Sequence, residues 1–385
     1  MTEAEREEIY RLRYAVYIEE MRGEGRHTEA DLGTKVLRDD LDDRAYHFYG
    51  RQDGKIVICS RTNLRRDGEL ECEDKLELQN FGWAFPDRIS MSSRLALHSR
   101  HRGSLLVKQL LCEMYQFWCA NDILFDFIDC HPRLVPLYAR LGWRLYKPGF
   151  KHPKYTYVFP MVLVVDDLQY LERVKSPFLP IGKRFHKGSQ GRDILLSKYP
   201  EAEETFVSAE VDAPRFWDVL AGKLLDVSDS ITRTDFFVTL TFEEAKLLLS
   251  LGYVVSCRCG DEILTPGDLG RDIYLILNGS FEVQRRLGGN HGTRMKLVKI
   301  LAAGEIFGET RYLREELRHG SVRAREDSTV LVFNSRSLDR LISTAPKLAA
   351  KVFRNMARIV TGRTCESIKF THFPKRTAAR HRVQA

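Results

Sequence analysis

The loop His98-Ser99-Arg100-His101-Arg102-Gly103-Ser104 has the residue types and setting to hold a phosphate. An apolar strand pattern, Ile89 to Leu97, leads into it, and a helical pattern from Leu105 to about Ala120 follows. Such a loop feeds successive backbone N–H groups into a helix N-terminus, where unpaired donors and the macrodipole favour an anion. Gly103 allows close approach of the ligand to the backbone, while Arg100 and Arg102 add charge and Ser104 closes the turn. Further upstream, Asp39-Asp-Leu-Asp-Asp43 is an acidic run that reads as a solvated loop or as a group of proton-handling carboxylates. His98, His101 and His131 lack metal-ligand spacing, so no metal is expected. Cys112, Cys119 and Cys130 sit in apolar settings and read as packing residues.

The elements around the loop alternate. A helix is predicted from about Glu3 to Met21, with Ile9, Leu12 and Val16 as its apolar seam. Strands near Ala45 to Arg51 and Lys55 to Asn63 flank the turn Gln52-Asp53-Gly54. After the loop and its helix come a buried strand at Ile123 to Asp129, a helix at Pro132 to Leu141 capped by Gly142, and a strand from about Thr156 to Val165. That order gives an α/β fold with a mixed central sheet flanked by helices.

Two segments, SRLALHSRHRGSLLVKQLL and LVPLYARLGWR, resemble the acyl-donor motifs of the GNAT acyltransferase superfamily. The resemblance implies that the loop holds the pyrophosphate of coenzyme A or the phosphopantetheine of an acyl carrier protein. It also implies that Tyr138 protonates the departing thiolate. Leu105 stands where the superfamily usually has Gly or Ala. RLRYAVYIEEM, RDDLDD, ICSRTNL and SSRLAL, in that order, resemble acyl-homoserine-lactone synthases and FeeM-type N-acyl amino acid synthases over residues 5 to 178. Those enzymes move a fatty acyl chain from acyl carrier protein to an amine. The matching positions are Arg13 and Tyr17, Asp40 and Asp43, Arg61 and Arg94. Asp40 and Asp43 are the expected acceptor-binding or proton-removing carboxylates, and the three arginines the expected buried network. Met91 replaces the glutamate of the lactone synthases, which favours the FeeM-like branch.

From Leu240 the pattern changes to short apolar strands punctuated by glycine, such as Ile273 to Leu277 and Phe281 to Val283, which predicts a small antiparallel β-roll with flanking helices. GDEILTPGDLGRDIYLILNGSFEV and GEIFGETRYLREELRHGSVRA resemble cyclic-nucleotide-binding domains over about 120 residues. Carried over, Arg318 pairs with the cyclic phosphate of cAMP or cGMP, Glu309 takes the ribose 2′-hydroxyl, and the N–H groups of Gly308 and Arg311 complete the cradle. His319 falls where base selection is made.

The 385 residues divide into an acyltransferase-like domain at 1–178, a loop-rich connector with one helix at 179–238, the nucleotide-binding domain at 239–362, and a basic tail at 363–385. A hydrophobic fraction of 43% excludes a disordered chain. No apolar run reaches the ~18 residues of a membrane helix, and the N-terminus has no apolar signal core. Eight scattered cysteines suit a reducing cytoplasm. The formal charge of +7 invites a nucleic-acid reading, yet the tail is too short for a helix-turn-helix, so DNA is not an expected partner. The expectation is an N-acyltransferase under cyclic-nucleotide control, with a small amine acceptor, acyl-CoA or an acidic carrier protein as donor, and room for a homodimer. A cAMP-regulated protein lysine acetyltransferase using acetyl-CoA and a non-enzymatic nucleotide sensor stand as alternatives.

Overall fold

The computed structural model describes residues 1–21, 27–154, 157–186, 188–203, 206–208, 213–224, 235–266, 270–287, 294–314, 318 and 320–372. Helix α1 (Glu3–Tyr14) starts at a capping box, with Thr2 and Glu5 each satisfying the other's backbone N–H. It runs on as π-helical turns over Ala15–Glu20, where the Met21 N–H reaches back five residues to the Val16 carbonyl. The ladder β1 (Ala30–Asp31) with β2 (Val36–Leu37) precedes a main sheet of β3 (Tyr46–Gln52), β4 (Lys55–Leu64), β5 (Ile89–Leu97), β6 (Phe125–Cys130), β7 (Arg144–Leu145), β8 (Phe150–Lys151) and β9 (Tyr157–Val164). The spatial order is β3-β4-β5-β6-β9-β7, with β8 on β9. Asp53 and Gly54, both at positive φ, close the β3–β4 hairpin as expected.

One pairing decides where the site lies. Strands β5 and β6 are parallel, and they pair only from Ile89 to Met91 with Phe125 to Phe127. Beyond that point β5 continues along β4 to Leu97, and β6 along β9 to Cys130. The two strands therefore part, leaving a gap between Ser92–Leu97 and Ile128–Cys130. A bulge sharpens the parting: Cys59 faces Ala96 but Arg61 faces Ser93, so Arg94 and Leu95 have no partners of their own on β4. Arg94 takes φ 57° there, a conformation that costs a non-glycine residue about 1 kcal/mol or more.

Helices α2 (Glu73–Leu76), α3 (Leu106–Ala120), α4 (Val135–Leu141) and α5 (Leu168–Arg173) complete the first unit. Trp118 of α3 meets Trp143 edge-on at 5.7 Å and Tyr138 of α4 meets Trp143 at 5.4 Å, filling one face of the sheet. Phe81, Phe125, Phe127 and Tyr146 fill the other.

The expected loop-rich connector is largely built into the two domains. Around α6 (Leu179–Phe185), Phe178 stacks on Tyr115 at 4.7 Å, and α7 (Gly191–Lys198) buries Leu195 against the first sheet. Strand β10 (Phe206–Ser208) pairs with the β-roll, and α8 (Ala213–Leu224) buries Phe216 and Leu220 there. The apolar anchors are too widely spaced along the chain to produce a periodic pattern.

After α9 (Phe242–Ser250), the roll comprises β11 (Gly252–Cys257), β12 (Glu262–Leu264), β13 (Ile273–Asn278), β14 (Ser280–Leu287), β15 (Arg294–Ala302), β16 (Ile306–Phe307), then α10 (Glu309–Arg314), β17 (Gly320–Ala324) and β18 (Ser328–Phe333). Its sheets run β10-β11-β18-β13-β16 and β12-β17-β14-β15. Helices α11 (Ser335–Thr344) and α12 (Pro346–His372) cover it through Leu338, Leu341, Val352 and Met356. The roll packs directly on the first domain. Tyr253 Oη donates to the Pro132 carbonyl at 2.6 Å, Tyr157 Oη to Asp261 Oδ2 at 3.0 Å, and Lys151 faces Glu262 at 3.5 Å.

Candidate functional site

Arg13, Arg61 and Arg94 come together, all nearly inaccessible to solvent. Buried guanidinium groups need anions, and two aspartates supply them. Arg13 NH1 lies 2.7 Å and Arg61 NH1 2.9 Å from Asp42 Oδ1. Asp39 is gripped by Arg61 on both oxygens and by Arg94 NH2 at 2.7 Å, and Arg94 NH2 also meets Glu29 Oε1 at 2.7 Å. Burial alone would raise both aspartates, but the guanidinium partners hold Asp39 and Asp42 well below the usual carboxylate range.

Asp40 and Asp43, the carboxylates expected to act, do not join this net. Both are exposed, and Asp43 pairs with Arg38 at the surface. The reason is the turn itself. Asp39 caps a 3-10 turn over Asp40–Arg44 by accepting the Leu41 N–H at 3.2 Å, and Asp42 Oδ2 accepts the Asp39 N–H at 3.0 Å. A reciprocal cap turns the first and fourth side chains inward and leaves the second and fifth in water.

The parted strands are lined from two sides. Tyr17, on the π-helical turns, donates to the Leu95 carbonyl at 3.0 Å, and its ring lies 5.8 Å from the Arg94 guanidinium. Burial pushes the Tyr17 hydroxyl up to about 12 and Tyr138 well above the usual phenol range. The charge of Asp129 adds to both shifts. Beneath the gap Asp126 accepts Ser90 Oγ at 2.7 Å, Ser92 Oγ at 2.9 Å and Trp143 Nε1 at 3.3 Å. Burial drives its carboxyl up to about 8 against the pull of those donors.

Arg100, Arg102, Gly103 and Ser104 form an exposed loop at the start of α3. Gly103 has φ 87°, Ser104 Oγ accepts the Leu106 N–H at 3.4 Å, and Arg102 pairs with Glu20. Leu105 is 68% exposed, so it lies beside the loop instead of filling it.

In the roll, Gly308 has φ 87°, and a Cβ there would lie 2.7 Å from the Asp272 carbonyl and 3.1 Å from Arg318 NH1. Arg318 is buried, and its bonds run to the backbone carbonyls of Asp272 at 3.0 Å and Gly308 at 3.4 Å. No carboxylate among the described residues pairs with it. Leaving a buried cation without an anion is costly. Glu309, also buried, is held by Arg363 NH1 of α12 at 2.7 Å, while Arg363 NH2 bonds the Ile306 carbonyl at 2.7 Å. Arg311 is half-buried on α10, and His319 lies outside the described residues. Asp39, Asp42, Glu29, Asp129 and Arg363 were not singled out as site residues from sequence. For Asp39 and Asp42 the D-x-x-D capping pattern was available; for the others no local signal exists.

No described helix is long and apolar enough to cross a membrane, and no group of three or more His, Cys, Asp or Glu among the described residues could hold a metal ion. Residues 12–112 match the family described as acetyltransferase (GNAT) domain, and residues 254–345 match the cyclic nucleotide-binding domain. The cyclic AMP receptor protein of Thermus thermophilus is 33% identical over 123 residues, covering 32% of this chain and 55% of that protein. The cAMP-dependent protein kinase regulatory subunit of Schizosaccharomyces pombe is 28% identical over 121 residues, 31% of this chain and 26% of that one. The chain thus spans about half the length of the first relative and a quarter of the second. A solved cyclic nucleotide-binding domain from Methylobacillus flagellatus superposes with a TM-score of 0.36 at 23% identity, covering 45% of this chain and 93% of that one. This chain joins an N-terminal GNAT acetyltransferase domain to a C-terminal cyclic nucleotide-binding domain.

Proposed function

We propose that the protein is an N-acyltransferase that moves a fatty acyl group from acyl carrier protein or acyl-CoA to an amine such as an amino acid, and that a cyclic nucleotide in the roll sets its rate. The observation that carries the transferase reading is the parting of β5 from β6 beside the Arg100–Ser104 loop. A thioester carbonyl placed in that gap would meet the β5 backbone where it has left β6, and strand N–H groups there would stabilise a tetrahedral oxyanion, while the loop would take the donor's phosphates. Tyr138, kept protonated by burial, is suited to return a proton to the departing thiolate. Holding donor and amine in one gap supplies a large share of the acceleration. The preference for a fatty acyl donor and an amino-acid-like acceptor rests on the resemblance of the Arg13, Tyr17, Arg61 and Arg94 segments to FeeM-type synthases. Exposed Leu105 beside the loop and the acidic carrier protein expected as donor fit the same reading. Cytoplasmic placement belongs to it as well.

The nucleotide reading rests on Arg318 and Glu309, a buried guanidinium bonded to the Gly308 carbonyl and the buried carboxylate of the next residue in the chain. Purified protein incubated with acyl-CoA and acyl-carrier-protein series and an amino acid mixture, with products weighed by mass spectrometry, tests the transferase. An N-acyl amino acid is expected. Acetylated protein lysine without any small-molecule product refutes the fatty-acyl assignment. Titration with cAMP and cGMP by calorimetry tests the second domain, and absence of binding by either refutes it.

A further inference from the structure

The carboxylates around the gap divide by their partners. Asp39 and Asp42 are held by arginines, and Asp129, on the parted stretch of β6, faces the His152 ring at 3.0 Å. Asp126 is different. It is fully buried, and no arginine, lysine or histidine among the described residues pairs with it. It sits on β6 between Phe125 and Phe127, both fully buried as well. An apolar side chain there would avoid the cost of taking a carboxyl out of water. The carboxyl nonetheless stands on the last paired stretch of β6, where β5 is about to leave it.

Its hydrogen bonds run in one direction. Trp118 Nε1 of α3 donates to Thr62 Oγ1 of β4 at 3.1 Å, Thr62 Oγ1 and Ser92 Oγ of β5 lie 3.1 Å apart, and Ser92 donates to Asp126 Oδ1 at 2.9 Å. Since the Ser92 proton points to Asp126, Thr62 supplies the proton of the middle bond. Ser90 donates to the same carboxyl oxygen at 2.7 Å, and Trp143 Nε1 donates to the other at 3.3 Å. The two serines differ in what else joins them to β6. Ser90 is the ladder partner of Asp126 itself, within the paired stretch Ile89 to Met91, so the backbone already holds it. Ser92 is the first residue beyond that stretch and pairs with Thr62 on β4. Its hydroxyl bridges to β6 where the backbone ladder has stopped. Further along β5, Arg61 Nε reaches Ser93 Oγ at 2.9 Å and Tyr17 reaches the Leu95 carbonyl at 3.0 Å, so those residues are held from β4 and the first helix. At its other oxygen Asp126 holds Trp143, whose ring meets Tyr138 edge-on at 5.4 Å. One carboxyl thus ties down the β5 edge of the gap and, through Trp143, the helix that carries Tyr138.

We propose that Asp126 is a positioning residue for acyl transfer: by bridging to Ser92 and Trp143 it sets the width of the gap and places Tyr138 against it. The assignment rests on the acyltransferase reading. A donor anchored by its phosphates at the Arg100–Ser104 loop brings its thioester to the gap at a fixed reach. A drift of β5 then moves the strand N–H groups off the carbonyl while the anchor still binds. A misplacement of about 1 Å costs about 10²-fold in rate. The loss therefore falls on kcat and leaves the donor's KM nearly unchanged.

The test follows thiol release from saturated acyl-CoA and acyl-carrier-protein donors with hydroxylamine, a small nucleophile that makes little demand on acceptor recognition. Ser92→Ala and Ser90→Ala each delete one hydroxyl from the same carboxyl oxygen, and each is expected to lower the melting temperature by about 2–4 °C. Ser92→Ala is expected to lower kcat by about 10- to 100-fold with donor KM within about threefold. Ser90→Ala, outside the bridge, is expected to keep both within about threefold. Asp126→Ala should lose at least as much kcat as Ser92→Ala. Asp126→Asn is expected to recover most of that loss, because its oxygen can accept from Trp143 and its amide can donate to both serines. Near-ultraviolet circular dichroism identifies the variants that fold, and the serine pair decides the matter if Asp126→Ala does not. Equal kcat in the two serine variants, whether both slowed or both unchanged, overturns the assignment, as does a folded Asp126→Asn no faster than Asp126→Ala. Failure of the wild-type protein to release thiol from any donor overturns acyl transfer itself, and this assignment with it.

Discussion

Removing one oxygen, by Tyr253→Phe, should uncouple the nucleotide from the acyltransferase. Tyr253 lies on β11 of the roll and is 1% exposed, and its hydroxyl donates at 2.6 Å to the carbonyl of Pro132. Pro132 opens the turn that runs into α4, which carries Tyr138 to the wall of the gap. Deleting the hydroxyl leaves a buried carbonyl without that donor, a loss of about 1–3 kcal/mol. Coupling between a regulatory and an active site is typically about 1–3 kcal/mol, or about 5–150-fold in rate or affinity. A single bond of this size can therefore carry most of the coupling, provided the roll holds it differently with and without nucleotide. The second contact, Tyr157 Oη to Asp261 Oδ2 at 3.0 Å, sits on the neighbouring strand β9 and is tested by Asp261→Asn. The assay is acyl transfer with and without saturating cyclic nucleotide, alongside calorimetry for nucleotide affinity. Tyr253→Phe is expected to keep basal rate and affinity within about threefold while the ratio of rates with and without nucleotide falls toward one. An unchanged ratio in a folded Tyr253→Phe/Asp261→Asn double variant refutes this route.

Arg318→Met should abolish nucleotide-induced stabilisation, weakening binding by about 10–150-fold for the loss of one charge-assisted contact. It should leave the nucleotide-free roll as stable or more so, because a buried cation without a carboxylate is removed; melting curves with and without cAMP or cGMP read both effects. Arg363→Met is expected to tighten nucleotide binding, since Glu309 no longer gives up an ion pair to take the ribose hydroxyl, and weaker binding in calorimetry would show that Arg363 stays and assists. The pH dependence of stability has two limbs. Asp39 and Asp42 titrate lower folded than unfolded, so their contribution is present above about pH 4 and lost as pH falls through the folded values. Asp126, raised to about 8, acts oppositely: its contribution is present below about pH 4 and lost as pH rises toward 8. The melting temperature of the first domain should fall below pH 4 in the wild type, and Asp42→Asn should flatten that limb while lowering stability at pH 7.

How far the sequence carried depended on whether the information was local. The Arg100–Ser104 loop and the strand before it were legible because a strand, a basic glycine turn and a helix follow each other within one stretch of chain. The acidic turn was legible as a turn, but its phase was not read: charge density marked the run, whereas the reciprocal cap of Asp39 and Asp42 decides which carboxylates face inward. The D-x-x-D spacing before an apolar strand was the available signal, and it outranks the count of acids because backbone N–H groups at a turn must be satisfied first. Glu29, Asp129, His152 and Arg363 belong to a different class. Their partners lie tens of residues away, across a strand bulge, a parted parallel pair and a helix folded back on the roll, and nothing in their neighbours announces them. Within residues 179–238 the helix near Arg215 was legible, whereas isolated anchors such as Leu195 are seen only once the surfaces that receive them exist. The charge that first suggested nucleic acid shows the same distinction. The arginines that matter most, Arg13, Arg61, Arg94 and Arg318, are buried, so they add to net charge while offering nothing to a long polyanion. What they can do is hold a carboxylate in place or wait for one phosphate, and three of the four already have their carboxylates.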